Sequence, residues 1–189
     1  MLVIRDATPE DAPFLAECIM AGMHFYDFEP EMPEDKADIF RRLTECERMT
    51  DTIYSYARTR VAEYGGRLAG ALLSYPGEIY REARRKTFAE LWPDLMHIER
   101  DSDQETEAGE YYLDSLAVVP QFRRAGIGRL LIEDGAEKGL AAGFDRITLV
   151  ADIEMPGLVR YYESLGFSPL DRRFAFGTHF LRMVRLMRG

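Results

Sequence analysis

The stretch that decides the fold is Glu110-Tyr111-Tyr112-Leu113-Asp114-Ser115-Leu116-Ala117-Val118-Val119-Pro120-Gln121-Phe122-Arg123-Arg124-Ala125-Gly126-Ile127-Gly128-Arg129-Leu130-Leu131. It reads as a strand, a basic turn with two glycines, and a helix that continues to Gly143. In the strand, Tyr111 and Leu113 are the apolar alternates at first, and Leu116 and Val118 then take over. Strand side chains alternate faces with period two, so one extra residue must be absorbed near Asp114-Ser115, the trace of a β-bulge. A bulge there frees backbone N–H groups for a ligand. The turn after it is an anion site: glycine lets backbone approach a ligand, and the open N–H groups of a helix N-terminus point at negative oxygen. Arg123, Arg124 and Arg129 surround it with charge-assisted donors. The turn is therefore read as holding the pyrophosphate of a nucleotide-like cofactor.

That basic cluster runs against the background. The chain of 189 residues has 24 basic and 33 acidic side chains, a formal charge of −9, which disfavours non-specific binding to nucleic acid or anionic membrane. With 47% apolar and 30% charged residues, the composition is that of one globular domain, residues 1–189. Cys18 and Cys46 form no Cys-x-x-Cys pair, so neither a disulfide framework nor a metal site is expected. The start Met1-Leu2-Val3-Ile4-Arg5-Asp6 lacks a signal-peptide layout, and no run approaches the ~18 apolar residues that span a bilayer. The expected location is cytoplasmic.

Outward from the central stretch, Leu2–Arg5 predicts a strand, and Thr8-Pro9-Glu10-Asp11 a helix start with Thr8 as N-cap. Phe14, Leu15, Cys18 and Ile19 form its core stripe. Residues 22–33 hold His24, Phe25, Tyr26, Asp27, Phe28 and Glu29; they read as a loop packed by its own aromatics, or as the wall of an acceptor pocket. Asp35 to Arg58 has helical spacing, in one or two pieces, with Ile39, Phe40, Leu43 and Cys46 on one side. Arg60–Tyr64 and Arg67–Tyr75, joined by Gly65-Gly66, predict a hairpin stopped by Pro76-Gly77.

A helical and acidic insertion is expected at about 78–109, with Phe88, Leu91, Trp92 and Leu95 at helical spacing and Pro93 dividing the helix. Its acids Glu99, Asp101, Asp103, Glu105 and Glu107 read as a solvated loop. After the glycine turn, Ile127, Leu130 and Leu131 form a stripe that Gly135 and Gly139 continue, small enough for close packing on a sheet. Arg146–Val150 should lie parallel to 111–118 by a right-handed crossover. Pro156 opens a helix with Leu158, Tyr161, Tyr162 and Leu165 inward, and two strands follow near Arg172–Phe176 and Phe180–Leu186.

Known phosphate motifs narrow the ligand. A Walker A loop is absent, and Leu131 occupies the third glycine position of a dinucleotide fingerprint. What fits is Leu116-Ala117-Val118-Val119-Pro120 followed by Arg123-Arg124-Ala125-Gly126-Ile127-Gly128, with Tyr161-Tyr162-Glu163-Ser164-Leu165-Gly166-Phe167 downstream. In these segments the chain resembles the GNAT superfamily of acetyl-CoA-dependent N-acetyltransferases, over nearly its whole length apart from the insertion. The resemblance implies an α/β (α+β) fold: a central twisted, mostly antiparallel sheet, one parallel strand pair after a β-bulge, and flanking helices.

It also implies a function. Acetyl-CoA would lie along Leu116, Ala117 and Val118, its pyrophosphate on Arg123, Arg124, Ala125, Gly126, Ile127, Gly128 and Arg129, and no metal would be needed. Tyr162 matches the tyrosine that protonates the departing thiolate, and it would also touch the cofactor. Many members have an asparagine seven residues before that tyrosine; Met155 stands here, so the amide contact is missing or supplied by Asp152 or Glu154. The acceptor would be a primary amine of a small molecule or peptide, with a homodimer left open. The glutamate base of histone-modifying members would align at Tyr112, so that role does not transfer. Asp114 is the first candidate base and Glu110 the second, both on the strand face of Tyr112; His24 and His179 are further groups that could lie near the acceptor. The alternative is a catalytically silent acyl-CoA-binding sensor or interaction domain.

Overall fold

A computed structural model describes residues 1–24, 26–92, 104–175 and 177–187. The apolar alternation of the strand segments builds one seven-stranded sheet. Its strands are β1 (Leu2–Asp6), β2 (Thr59–Tyr64), β3 (Arg67–Pro76), β4 (Tyr111–Val118), β5 (Arg146–Asp152), β6 (Ser168–Ala175) and β7 (Thr178–Leu186). The order is β1-β2-β3-β4-β5-β7-β6. All neighbours are antiparallel except β4 and β5. Gly65 and Gly66 turn the β2–β3 hairpin with φ of 60° and 76°, the left-handed region that such tight turns require.

Alternation sorts the core to two faces. On one, α4 (Ile127–Ala141) packs Ile127, Leu131, Ile132 and Ala136 against Leu72, Leu113, Ile147 and Leu149. Each of the larger aliphatic side chains contributes ~1.5–3 kcal/mol by burial. Gly135 and Gly139 allow this contact: a Cβ on Gly139 would lie 2.7 Å from both Ile147 and Tyr111, and one on Gly135 would lie 2.6 Å from Leu72. Leu130, expected in the stripe, is 44% exposed and takes no part in this contact.

On the opposite face, α1 (Ala12–Gly22), α2 (Ala37–Glu47) and α3 (Tyr80–Leu91) cover Leu73, Tyr75 and Tyr112. Thr8 is the N-cap of the 3₁₀ turn Pro9–Asp11 that leads into α1, and Asp11 completes the capping box: its carboxylate accepts the Thr8 N–H at 2.8 Å and is clamped by Arg5. Helix α2 stops at Glu47, and only a single 3₁₀ turn, Tyr56–Arg58, represents the expected continuation. Helix α3 ends at Leu91, two residues before Pro93. Leu95 and the acids Glu99, Asp101 and Asp103 lie outside the described residues. Cys18 and Cys46 are buried free thiols. Among the described residues no helix is long and apolar enough to cross a membrane.

The bulge is where the sequence places it. Leu72 faces Leu116 but Ser74 faces Leu113, so three steps on β4 match two on β3 and the extra residue falls at Asp114-Ser115. The parallel partner behaves differently. β4 and β5 pair only at Tyr111 with Ile147 and at Tyr112 with Thr148, so the paired residues stand ahead of the bulge. Beyond them the two strands part.

Candidate active site between the parted strands

A cavity of about 1180 Å³ opens at the parting of β4 and β5. Asp114 to Val118 line it from β4, Val150 and Asp152 from β5, and Leu158, Tyr161 and Tyr162 from α5 (Pro156–Ser164). The β4 backbone has partners on its β3 side and none from β5 past Tyr112, so its edge presents N–H and C=O groups to a ligand.

The glycine turn stands next to this cavity, which Arg123 lines and Arg124 to Arg129 do not. Gly126 has φ of 80°, and a Cβ there would meet nothing within 4 Å, so its outer side is open to a ligand. Helix α4 begins at Ile127, and its first-turn N–H groups have no carbonyl of their own helix to bond. Gly128 lies close under the site: its Cβ would stand 3.5 Å from the Tyr161 hydroxyl and 3.7 Å from Leu116 and Val118. The site residues divide by what they can offer. Ala117 and Ile127 bury their side chains in the core and leave only backbone. Arg124, Ala125 and Arg129 are exposed at the turn. Arg123 is engaged: its Nε donates to the Val118 carbonyl at 2.9 Å and its guanidinium pairs with Asp27. It therefore ties the 22–33 loop to the turn. These residues fit a pyrophosphate at Gly126–Arg129, with Arg123 occupied by a carboxylate of the chain itself.

Tyr162 lines the cavity, its ring edge-on to Phe167 at 6.1 Å. Burial pushes its hydroxyl up to about 12, so it stays protonated at neutral pH and can donate. Met155 lines the wall where an amide was expected. Asp152 also lines it, but its Oδ1 accepts the Glu154 N–H at 2.8 Å in the turn before α5.

Another part of the cavity is aromatic and acidic. Tyr26, Tyr54, Tyr80, Phe88 and Trp92 line it with Arg84, Glu105 and Asp114. Asp114 accepts the Tyr75 hydroxyl at 2.5 Å on Oδ2 and the Ser115 hydroxyl at 2.8 Å on Oδ1. Burial raises its carboxyl, and those two hydrogen bonds oppose the rise. The 22–33 loop packs aromatics and also lines the cavity. Phe28 packs on Phe14 and Tyr26, while His24, Tyr26, Asp27 and Glu29 line the cavity.

Three expectations need correction here. Glu110 shares the strand face of Tyr112 but does not line the cavity. Its carboxylate is held by Arg182 at 3.3 Å, Thr148 at 3.3 Å, Thr106 at 3.2 Å and the Glu107 N–H at 3.1 Å, which makes it an anchor for the chain entering β4. His179 packs edge-on against Phe174 at 4.9 Å and is likewise not in the wall. Glu105, read as part of a solvated acidic loop, folds back into the cavity, where Tyr80 donates to its Oε2 at 3.2 Å. The signal that could have found it is the tyrosine-rich surroundings, which local charge composition hides.

The comparisons with known proteins agree with this geometry. A family model described as "Acetyltransferase (GNAT) family" matches residues 20–167. No curated protein matches the chain in sequence. A crystal structure of an acetyltransferase is 28% identical, with a TM-score of 0.77 over 98% of this chain and 100% of that one. An N-acetyltransferase from Staphylococcus aureus Mu50 has the same fold at 19% identity, TM-score 0.79, over 96% of this chain and 99% of that one. The ribosomal-protein-S18-alanine N-acetyltransferase from Escherichia coli shares it at 16% identity, TM-score 0.59, over 100% and 97%. With the bulged strand, the parted parallel pair and the glycine turn in place, the family match assigns the chain to the GNAT family of acetyltransferases.

Proposed function

We propose that the protein transfers the acetyl group of acetyl-CoA to a primary amine of a small molecule or peptide by direct attack of the amine on the thioester. The observation that carries this reading is the parting of β4 from β5 immediately after Tyr112, which opens a cavity lined by Leu116 to Val118, Arg123 and Tyr162, with Gly128 of the glycine turn packed behind Leu116 and Val118.

Three tasks follow from the chemistry. The amine must lose a proton, the carbonyl oxygen needs donors as charge develops, and the thiolate benefits from an acid. The main chain of Leu116 to Val118 is suited to hold the pantetheine arm and thioester, and Gly126 to Arg129 the pyrophosphate. Tyr162 is suited to the acid's task, because burial keeps its proton in place. Asp114 is carried by the bulge to the acceptor end and takes part in handling the amine's charge.

The test is isothermal calorimetry with acetyl-CoA, combined with a thiol-release assay over amines, amino acids, polyamines and peptides. Saturable binding with acceptor-dependent CoA release is expected. Binding without release for any acceptor would leave only the silent acyl-CoA-binding alternative.

A further inference from the structure

Resting on the acetyl-transfer reading, we propose that Glu105 takes the proton from the acceptor's ammonium group, with Asp114 positioning that group, and that the acceptor is a primary amine on an apolar or aromatic stem. Glu105 comes from the segment after α3 and not from the bulged strand. Its carboxylate lines the same cavity as Tyr162, and Tyr80 holds one of its oxygens in place at 3.2 Å. Asp114 is less free to accept a proton, because Tyr75 and Ser115 already donate to both of its oxygens.

The surroundings give Glu105 a base's character. Burial and the nearby Asp114 carboxylate push it up to about 8, and hydroxyls of Tyr80 and Tyr112 oppose the rise, as does Arg84. Tyr54 and Tyr75 are further ionisable groups facing it among the described residues. A carboxyl with that affinity for a proton is matched to its task near neutral pH. Two carboxyls in one cavity also draw a cation, and Tyr54, Tyr80 and Trp92 give it an aromatic wall, while the Arg84 guanidinium at this end lies over the Phe88 ring at 4.5 Å. An acceptor with its own carboxylate beside the amine would bring a third acid next to Asp114 and Glu105, which is repulsive.

The proton balance is complete. Glu105 takes one proton of the ammonium, and the freed nitrogen lone pair forms the C–N bond as the C–S bond breaks. The sulfur receives Tyr162's proton, Tyr162 recovers one from the nitrogen, one hydrogen stays on the amide, and Glu105 passes its proton to solvent before the next turnover.

The experiment compares wild type with Glu105→Gln and Glu105→Asp, using acetyl-CoA with 2-phenylethylamine, 1,4-diaminobutane and phenylalanine. Glu105→Gln is expected to lower kcat by about a hundredfold and to remove the rise of kcat/KM centred near pH 8, with acetyl-CoA affinity kept. Glu105→Asp, which keeps a carboxylate, should recover about tenfold of the loss, which a merely structural defect would not give. Phenylalanine should be the poorest acceptor of the three. Wild-type turnover with an unchanged rate and pH profile in Glu105→Gln would overturn the role of Glu105 alone. Preference for phenylalanine would overturn the acceptor class. Absence of turnover with every amine tested, in a wild type that binds acetyl-CoA, would instead remove the acetyl-transfer reading on which the proposal stands.

Discussion

The Tyr75 hydroxyl donates to Asp114 Oδ2 at 2.5 Å, from the strand beside the bulge into the aromatic and acidic part of the cavity. Burial raises the Asp114 carboxyl, and this hydrogen bond, with that from Ser115, opposes the rise. Tyr75→Phe removes a donor to a buried carboxylate. It should cost ~1.5–3 kcal/mol in urea melts near neutral pH and raise the Asp114 carboxyl further. A melt superimposable on wild type would show that the bond contributes nothing.

Gly126 combines φ of 80° with open space around its absent Cβ. Gly126→Val should weaken acetyl-CoA binding by roughly tenfold to a hundredfold, ~1.4–2.8 kcal/mol, by occupying the ground the pyrophosphate needs. Gly143→Val is the control, since Gly143 has φ of 93° and equally open surroundings at the far end of α4. It should cost similar folding stability and leave affinity unchanged. Equal affinities for both variants in calorimetry would sink the assignment of the turn.

Gly139 tests the packing that holds the turn. A Cβ there would press on Ile147 and Tyr111 at 2.7 Å, so Gly139→Ala should destabilise by ~1–3 kcal/mol. Gly157, in helix α5 with nothing within 4 Å of its Cβ position, should respond oppositely. Gly157→Ala is expected to add ~0.5–1 kcal/mol. Thermal melts that rank the two variants the other way would contradict this account of the α4 contact.

Glu47 gives stability a pH dependence of definite sign. It is 1% exposed, its Oε2 has no hydrogen-bond partner among the described residues, and burial raises its carboxyl well above the ordinary range. The folded state then holds its proton more tightly than the unfolded chain. Stability from this group is full below the unfolded value of about 4.3 and is lost as pH rises toward the folded one. Glu105 acts in the same direction up to about pH 8. Glu47→Gln should therefore raise Tm at pH 8 by a few degrees, about 1 kcal/mol or more, and have little effect at pH 4. A Tm difference that is equal at both pH values would refute it.

The frame of this site was legible in residues that act locally. The switch of alternates across Asp114-Ser115 gave the bulge, and Gly126 with Gly128 gave the turn, because period and backbone freedom are written in neighbouring positions. What escaped depends on partners far along the chain. Glu110 was placed on the right face, yet Arg182, 72 residues on, takes its carboxylate. Arg123 stands in the basic turn as a phosphate ligand would, but Asp27, 96 residues earlier, pairs with it. Glu105 was hidden because an acidic run is usually solvated, and only the tertiary fold turns one of its members inward. The insertion of β7 between β5 and β6 is likewise a non-local choice that strand spacing does not encode.

The account is tested most directly by following CoA release from acetyl-CoA with an amine panel, in wild type and Tyr162→Phe. It predicts one CoA and one N-acetylated product per turnover in wild type. In the variant, kcat should fall by about tenfold to a thousandfold, with acetyl-CoA affinity preserved. Stoichiometric acetyl-CoA binding with no CoA released for any amine, or an undiminished rate in Tyr162→Phe under chemistry-limited conditions, would contradict it.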